Sequence, residues 1–185
     1  MSLHRVRSTT LCSGISEFRA RGIFDRYAAE LAPAAREIML TAVPGVWLSL
    51  DIAMAHFAAV DALGLPTEEA FSIGAASGQR SQGSKLQTSM RLAAGALATP
   101  WTVFEMLEHI WGRSWDGGAF VATRMGPKDA LLELSVMPPC QFAYFRNAFR
   151  GAMWRAVTFC AKTVYSSELP SHSNAAGVSI RFSWV

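Results

Sequence analysis

Charge is scarce in this chain, and cysteine scarcer still. Only 17% of the 185 residues are Asp, Glu, Lys or Arg. The net charge is +3 and the pI near 9.0, with no run of Lys and Arg able to track a phosphate backbone. Nucleic acid is therefore not an expected partner. Three cysteines (Cys12, Cys140 and Cys160) lie far apart, and no C-x-x-C occurs. That argues against a disulfide framework and a thiolate zinc site, and predicts reduced thiols in a cytoplasmic protein. No apolar run approaches the ~20 residues of a membrane helix. Residues 38–65, the most apolar stretch, are interrupted by Pro44, Gly45, Asp51, His56 and Asp61. Residues 1–14 lack an apolar signal core and are expected to form an N-terminal arm or an edge strand.

Apolar material is plentiful. The chain is 51% hydrophobic, with six Trp and eleven Phe. This is enough for one well-formed core, and residues 1–185 are expected to form a single domain. The aromatic excess suits either a thick core, an internal pocket or a buried subunit interface.

The hydrophobic period changes along the chain. Helical spacing runs through 14–40, with a break near Pro33, and through Trp47–Gly64, where Leu48, Ile52, Ala55, Ala59 and Leu63 recur. A helix from Pro66 carries Glu68 and Glu69 in its first turn, where the dipole favours them. Another helix is expected from Lys85 to Ala98. Thr99 and Pro100 then open a helix striped with Trp101, Phe104, Leu107, Trp111 and Trp115. After Asp116-Gly117-Gly118 the period becomes two. Residues 119–125 and 129–137 read as strands about a Gly126–Asp129 turn. A helix over 140–162 and strands over 163–169 and 177–185 follow. In the last strand Val178, Ile180, Phe182 and Trp184 face one way and Ser179, Arg181 and Ser183 the other. The expected fold class is α+β: a helical N-terminal two-thirds packed on a four-stranded antiparallel sheet, its C-terminal part running strand–strand–helix–strand–strand.

The segment Gly78-x-x-x-x-Gly83-Ser84-Lys85 is one transposition from a phosphate-binding loop. Such a loop needs a buried strand before it and a helix N-terminus after it. Here a helical stretch precedes it, and Lys and Ser are exchanged, so nucleotide binding is not expected. Gly74, Gly78 and Gly83 would each weaken a helix by about 1 kcal/mol relative to Ala. Close helix–helix approach is the plain compensation; presentation of Gln79, Arg80 and Gln82 to a ligand is the other.

No catalytic set emerges. The histidines His4, His56, His109 and His172 form no metal pair, and there is no G-x-S-x-G. His109 shares its helix face with Glu105 and Arg113 and reads as solvated. His56, at the edge of an apolar stripe, reads as a core imidazole, a pocket hydrogen-bond donor or a haem ligand. Cys140, beside a helix start, reads as a small buried hydrophobe or an activated thiol. Arg146 and Arg150, four residues apart beside Tyr144, could clamp a carboxylate or phosphate, pair with acids elsewhere or sit in solvent.

The tail "PPCQFAYFRNAFRGAMWRAVTFC", entered from a strand hairpin and closed by "IRFSW", resembles a myxobacterial paralogous family of unknown function. Through it the chain is similar to a group of small-molecule-binding α+β domains: haem nitric oxide-binding domains, vinyl-reductase-type ligand-binding domains and TRAPP-like subunits. The resemblance implies a pocket between helices and sheet, non-enzymatic sensing or scaffolding, and dimers. Haem domains of this type carry a proximal His and a Y-x-S-x-R motif. Tyr144-Phe145-Arg146-Asn147-Ala148 has neither the Ser nor the Arg, and Arg150 lies six residues beyond Tyr144.

The expected function is thus a non-enzymatic ligand-binding or sensory domain. An apolar or amphipathic small molecule would sit near His56, Trp111, Tyr144, Arg146 and Arg150. The alternative is a scaffold subunit that dimerises through aromatic helix faces. No cofactor is expected; a haem gas sensor ranks below both readings.

Overall fold

A computed structural model describes residues 2–81 and 99–185. Helices α1 (Ser8–Ala20), α2 (Phe24–Glu30), α3 (Pro33–Thr41), α4 (Leu50–Asp61), α5 (Thr67–Ser81) and α6 (Pro100–Ile110) make up most of the N-terminal part. Helix α7 (Ala143–Val157) lies between the two hairpins of the C-terminal part. Strands β4 (Ala119–Gly126), β5 (Asp129–Ser135), β6 (Val164–Glu168) and β7 (Val178–Trp184) form an antiparallel sheet in the order β4-β5-β7-β6. The class is α+β, with the expected strand–strand–helix–strand–strand ending.

Several boundaries differ from the sequence reading, each for a local reason. Residues 1–14 read as an arm or an edge strand, yet only β1 (Arg5–Arg7) is extended and α1 begins at Ser8. β1 is the central strand of a second small sheet, between β2 (Trp47–Ser49) and β3 (Trp115–Asp116). Val6 and Leu3 are buried there, which ties the N-terminus into the core. The stretch 47–64 read as one helix, but its first three residues pair with β1, so α4 starts at Leu50. The helix expected over 140–162 is shorter at both ends: Pro138–Gln141 form a single 3-10 turn before α7 begins. The helix expected over 85–98, with Gly83 and Lys85, lies outside the described residues.

The sheet's inner face is Phe120, Ala130, Leu132, Leu134, Val164, Val178, Ile180, Phe182 and Trp184, all buried. Helix α6 covers part of it: Phe104 packs on Phe182 with centroids 6.1 Å apart, and Trp101 on Trp184 at 5.2 Å. Ser179 departs from the alternation. It is buried on the outer side because the turn Pro170–His172 folds over it, and its hydroxyl donates to the His172 carbonyl at 3.3 Å.

Helices α5 and α7 pack along a seam of small residues. A methyl group on Gly74 would collide with the Ala148 carbonyl, and one on Gly151 with the Phe71 carbonyl. Gly78 faces Ala152 across the same seam. Close backbone approach thus accounts for Gly74 and Gly78, as the plain reading expected. Among the described residues no helix is long and apolar enough to cross a membrane.

Candidate ligand cavity

Helices α1, α4, α5 and α7 line a cavity of about 100 Å³. Thr10, Ser13 and Gly14 of α1, His56 and Phe57 of α4, Ser77 of α5 and Tyr144, Phe145 and Phe149 of α7 line it, with Trp115 of β3. The lining is mainly aromatic or small. Phe57 meets Phe145 edge-on at 5.0 Å, and Phe145 stacks on Phe149 at 6.0 Å. A second cavity of about 210 Å³ adjoins it beneath α6, bounded by Leu107, Ile110, Trp111 and Met153. The two meet at Thr10, Gly78, Trp115, Phe149 and Ala152, which line both.

Polar groups in the first cavity are few. His56 is only 2% exposed, and the three other histidines are exposed. Its Nδ1 is 2.7 Å from the Tyr27 hydroxyl. Burial lowers its pKa to about 3, so the ring is neutral at ordinary pH. The same desolvation pushes the Tyr27 and Tyr144 phenols well up, keeping both protonated. The Ser77 hydroxyl is buried and, among the described residues, has no hydrogen-bond partner. A buried hydroxyl without a partner costs about 1–3 kcal/mol, and this one lines the cavity.

The five residues singled out from sequence fall into separate places. His56 and Tyr144 line the first cavity and Trp111 the second. Trp111 stacks on both Trp115 and Phe120, and its Nε1 donates to the Gly117 carbonyl at 3.3 Å. Arg146 turns away: it donates to the Cys140 carbonyl at 2.7 Å and pairs with Glu168 at 3.2 Å. Arg150 lies over the Phe71 ring at 5.2 Å. The two arginines therefore do not share one anion in this arrangement. Cys140 is fully buried, and burial pushes its thiol up to about 12, which is the inert small-hydrophobe reading.

Sequence reasoning missed Ser77, because an orphaned hydroxyl has no sequence signature. It also missed Glu108. The Glu108 carboxylate accepts the Ala122 backbone N–H of edge strand β4 at 2.8 Å. This caps a donor that the sheet leaves open.

No family model matches the chain, and no curated protein matches it. Solved structures do. An Fe(II) unliganded H-NOX protein from K. algicida superposes with a TM-score of 0.66 at 7% identity, over 97% of this chain and 96% of that one. An oxygen-binding H-NOX domain related to soluble guanylate cyclases, solved as its oxygen complex, gives 0.57 at 13% identity, over 96% and 94%. An H-NOX family member studied for haem distortion gives 0.62 at 13% identity, over 96% and 94%.

These neighbours correct one expectation. No cofactor was expected from the sequence, because Y-x-S-x-R is missing around Tyr144; against that expectation, the solved structures that share this fold are H-NOX domains, among them one studied for haem distortion. The donor chemistry here fits such a group. His56 is a neutral imidazole whose Nδ1 is engaged by Tyr27, an arrangement that orients metal-binding histidines. Aromatic rings supply an apolar enclosure. Each of the two adjoining cavities, about 100 and 210 Å³, is smaller than the ~300 Å³ at which ligand pockets usually begin, and Trp115 and Phe149 are the large side chains that line both. At 7–13% identity over nearly the whole chain, what the comparisons establish is that this protein has the H-NOX, or haem-NO-binding, fold.

Proposed function

We propose that this domain is a non-catalytic sensor that holds a small molecule in the cavity between α1, α4, α5 and α7. The observation that carries the reading is the pairing of a neutral buried imidazole, His56, with a buried hydroxyl, Ser77, that has no partner of its own. Pockets of this class are apolar with a few oriented polar groups. Haem is the first ligand to test, because the fold is shared with haem domains. His56 is the residue that would hold it, through the ring nitrogen not engaged by Tyr27. When bound, haem supplies an iron centre that takes up small ligands; the chain's part is to orient His56 and exclude water with Phe57, Phe145 and Phe149. Tyr144 completes the polar side of the lining.

The test is titration of the purified protein with haem, followed by gel filtration and visible spectroscopy. A Soret band that travels with wild type and is lost in His56→Ala is the expected result. If haem does not bind, native mass spectrometry of the freshly purified protein is the second arm, with an apolar or amphipathic molecule as its expected finding. Failure of both arms removes the reading.

A cytoplasmic location and a homodimer belong to the same proposal. Phe104, Phe145 and Phe149 are buried within the chain, so a dimer would use other surfaces. Ile38, Leu40, Val43 and Val46, all at least 40% exposed, offer one such surface. Light scattering at micromolar concentration reads the oligomeric state.

A further inference from the structure

A second site lies on the outside of the fold, where the first turn of α5 meets α7 and edge strand β6. A groove of about 340 Å³ opens there, sharing no lining residue with the His56 cavity. Its walls are aromatic. Phe71 and Trp154 pack with centroids 5.6 Å apart, and Trp154 is fixed because its Nε1 donates to the Val164 carbonyl at 3.0 Å. Tyr165, 62% exposed, belongs to the same lining.

Two opposite charges line this groove, Arg150 and Glu68. The Arg150 guanidinium sits over the Phe71 ring, 5.2 Å from its centroid, a cation–π contact that helps hold it in place. Its Nε is buried and, among the described residues, finds no acceptor. Among the described residues neither Arg150 nor Glu68 makes an ion pair, with the other or with anything else. Oppositely charged neighbours normally close on one another when nothing holds them apart. Here Arg150 packs on Phe71, and a cation and an anion that do not pair line the same aromatic groove.

We propose that this groove binds a free aromatic amino acid. The carboxylate meets Arg150, the ammonium meets Glu68, and the ring lies against Trp154 and Tyr165. A simple carboxylate would face Glu68 without compensation, and a simple amine would face Arg150. The site therefore selects for a ligand carrying both charges.

The experiment is calorimetric titration of the wild-type protein with L-phenylalanine, 3-phenylpropanoate and 2-phenylethylamine. The last two each lack one charged group. Saturable binding of L-phenylalanine is expected, with each analogue weaker by about tenfold or more, which corresponds to about 1.4 kcal/mol. Arg150→Gln and Glu68→Gln should each weaken L-phenylalanine binding to a similar degree, with melting curves reporting that the variants fold. No saturable binding of L-phenylalanine up to about 1 mM, which is about −4 kcal/mol, overturns the proposal. So does equal affinity for all three compounds. The analogue comparison needs no variant, so a folding defect in either substitution leaves the proposal open to refutation.

Discussion

The Tyr27 hydroxyl and the His56 Nδ1 lie 2.7 Å apart in the core, joining α2 to α4 across 29 residues of sequence. The pair is enclosed by Phe18, Phe24 and Phe57, whose rings lie 5.0 to 6.3 Å from those of Tyr27 or His56. Its acid sensitivity follows from burial. The His56 pKa is lowered to about 3 in the folded state, against an ordinary value of 6.5. Between those two values the unfolded chain binds a proton that the folded chain does not, so stability is lost as pH falls through that window. The contribution approaches about 1.4 kcal/mol per pH unit. Urea midpoints measured at pH 7 and pH 5 should fall more for wild type than for His56→Leu. Equal slopes would show that His56 already carries its proton in the folded protein.

The seam between α5 and α7 should tolerate no added atoms. In Gly74→Ala the new methyl group meets the Ala148 carbonyl, a backbone atom that cannot rotate away. A loss of about 2 kcal/mol or more is expected. Gly112→Ala is the control, because nothing lies within 4 Å of its added carbon; it should change stability by less than about 1 kcal/mol. Chemical denaturation distinguishes them, and equal effects would mean the seam is looser than described.

Removing the orphaned hydroxyl should stabilise the ligand-free protein. Ser77→Ala takes away a buried group that has no partner and puts a better helix former in its place. A gain of about 1 kcal/mol is expected, accompanied by weaker binding of whatever occupies the cavity. Destabilisation instead would indicate that Ser77 has a structural partner.

Thiol chemistry offers a simple check on the core. Cys140 is fully buried with its thiol pushed up to about 12, whereas Cys12 and Cys160 are half-buried and raised less far. In native protein a thiol reagent should modify Cys12 and Cys160 first, and Cys140 only on unfolding. Peptide mapping by mass spectrometry reads the order; early labelling of Cys140 would contradict its placement.

Hydrogen exchange tests the cap on β4. In Glu108→Ala the Ala122 amide loses its acceptor and should exchange faster than in wild type, with β5 and β7 unaffected. An unchanged Ala122 rate would mean the carboxylate is not its protector in solution.

What the sequence determined by itself is the class of the fold and the inner face of its sheet. A change of hydrophobic period near Asp116–Gly118 separated helices from strands. The alternation in 178–184 placed Val178, Ile180, Phe182 and Trp184 inward, because a strand's side chains repeat every two residues. The helix striped by Trp101 and Phe104 was legible for the equivalent reason at 3.6 residues per turn, but it ends at Ile110, so the expected stripe members Trp111 and Trp115 fall in a 3-10 turn and in β3. Tertiary structure alone decided the three-stranded sheet of β1, β2 and β3, since strands of two or three residues have no period to read. It alone decided that Arg146 and Arg150 part company, that Glu108 caps an edge and that Ser77 lacks a partner. Each of these depends on which distant backbone lies within 3 or 4 Å, and spacing along a chain carries no such distance. His56 stands between the two cases. Its pattern placed it at the edge of an apolar stripe, but only the fold brought Tyr27 to it and made it the one buried imidazole beside the cavity.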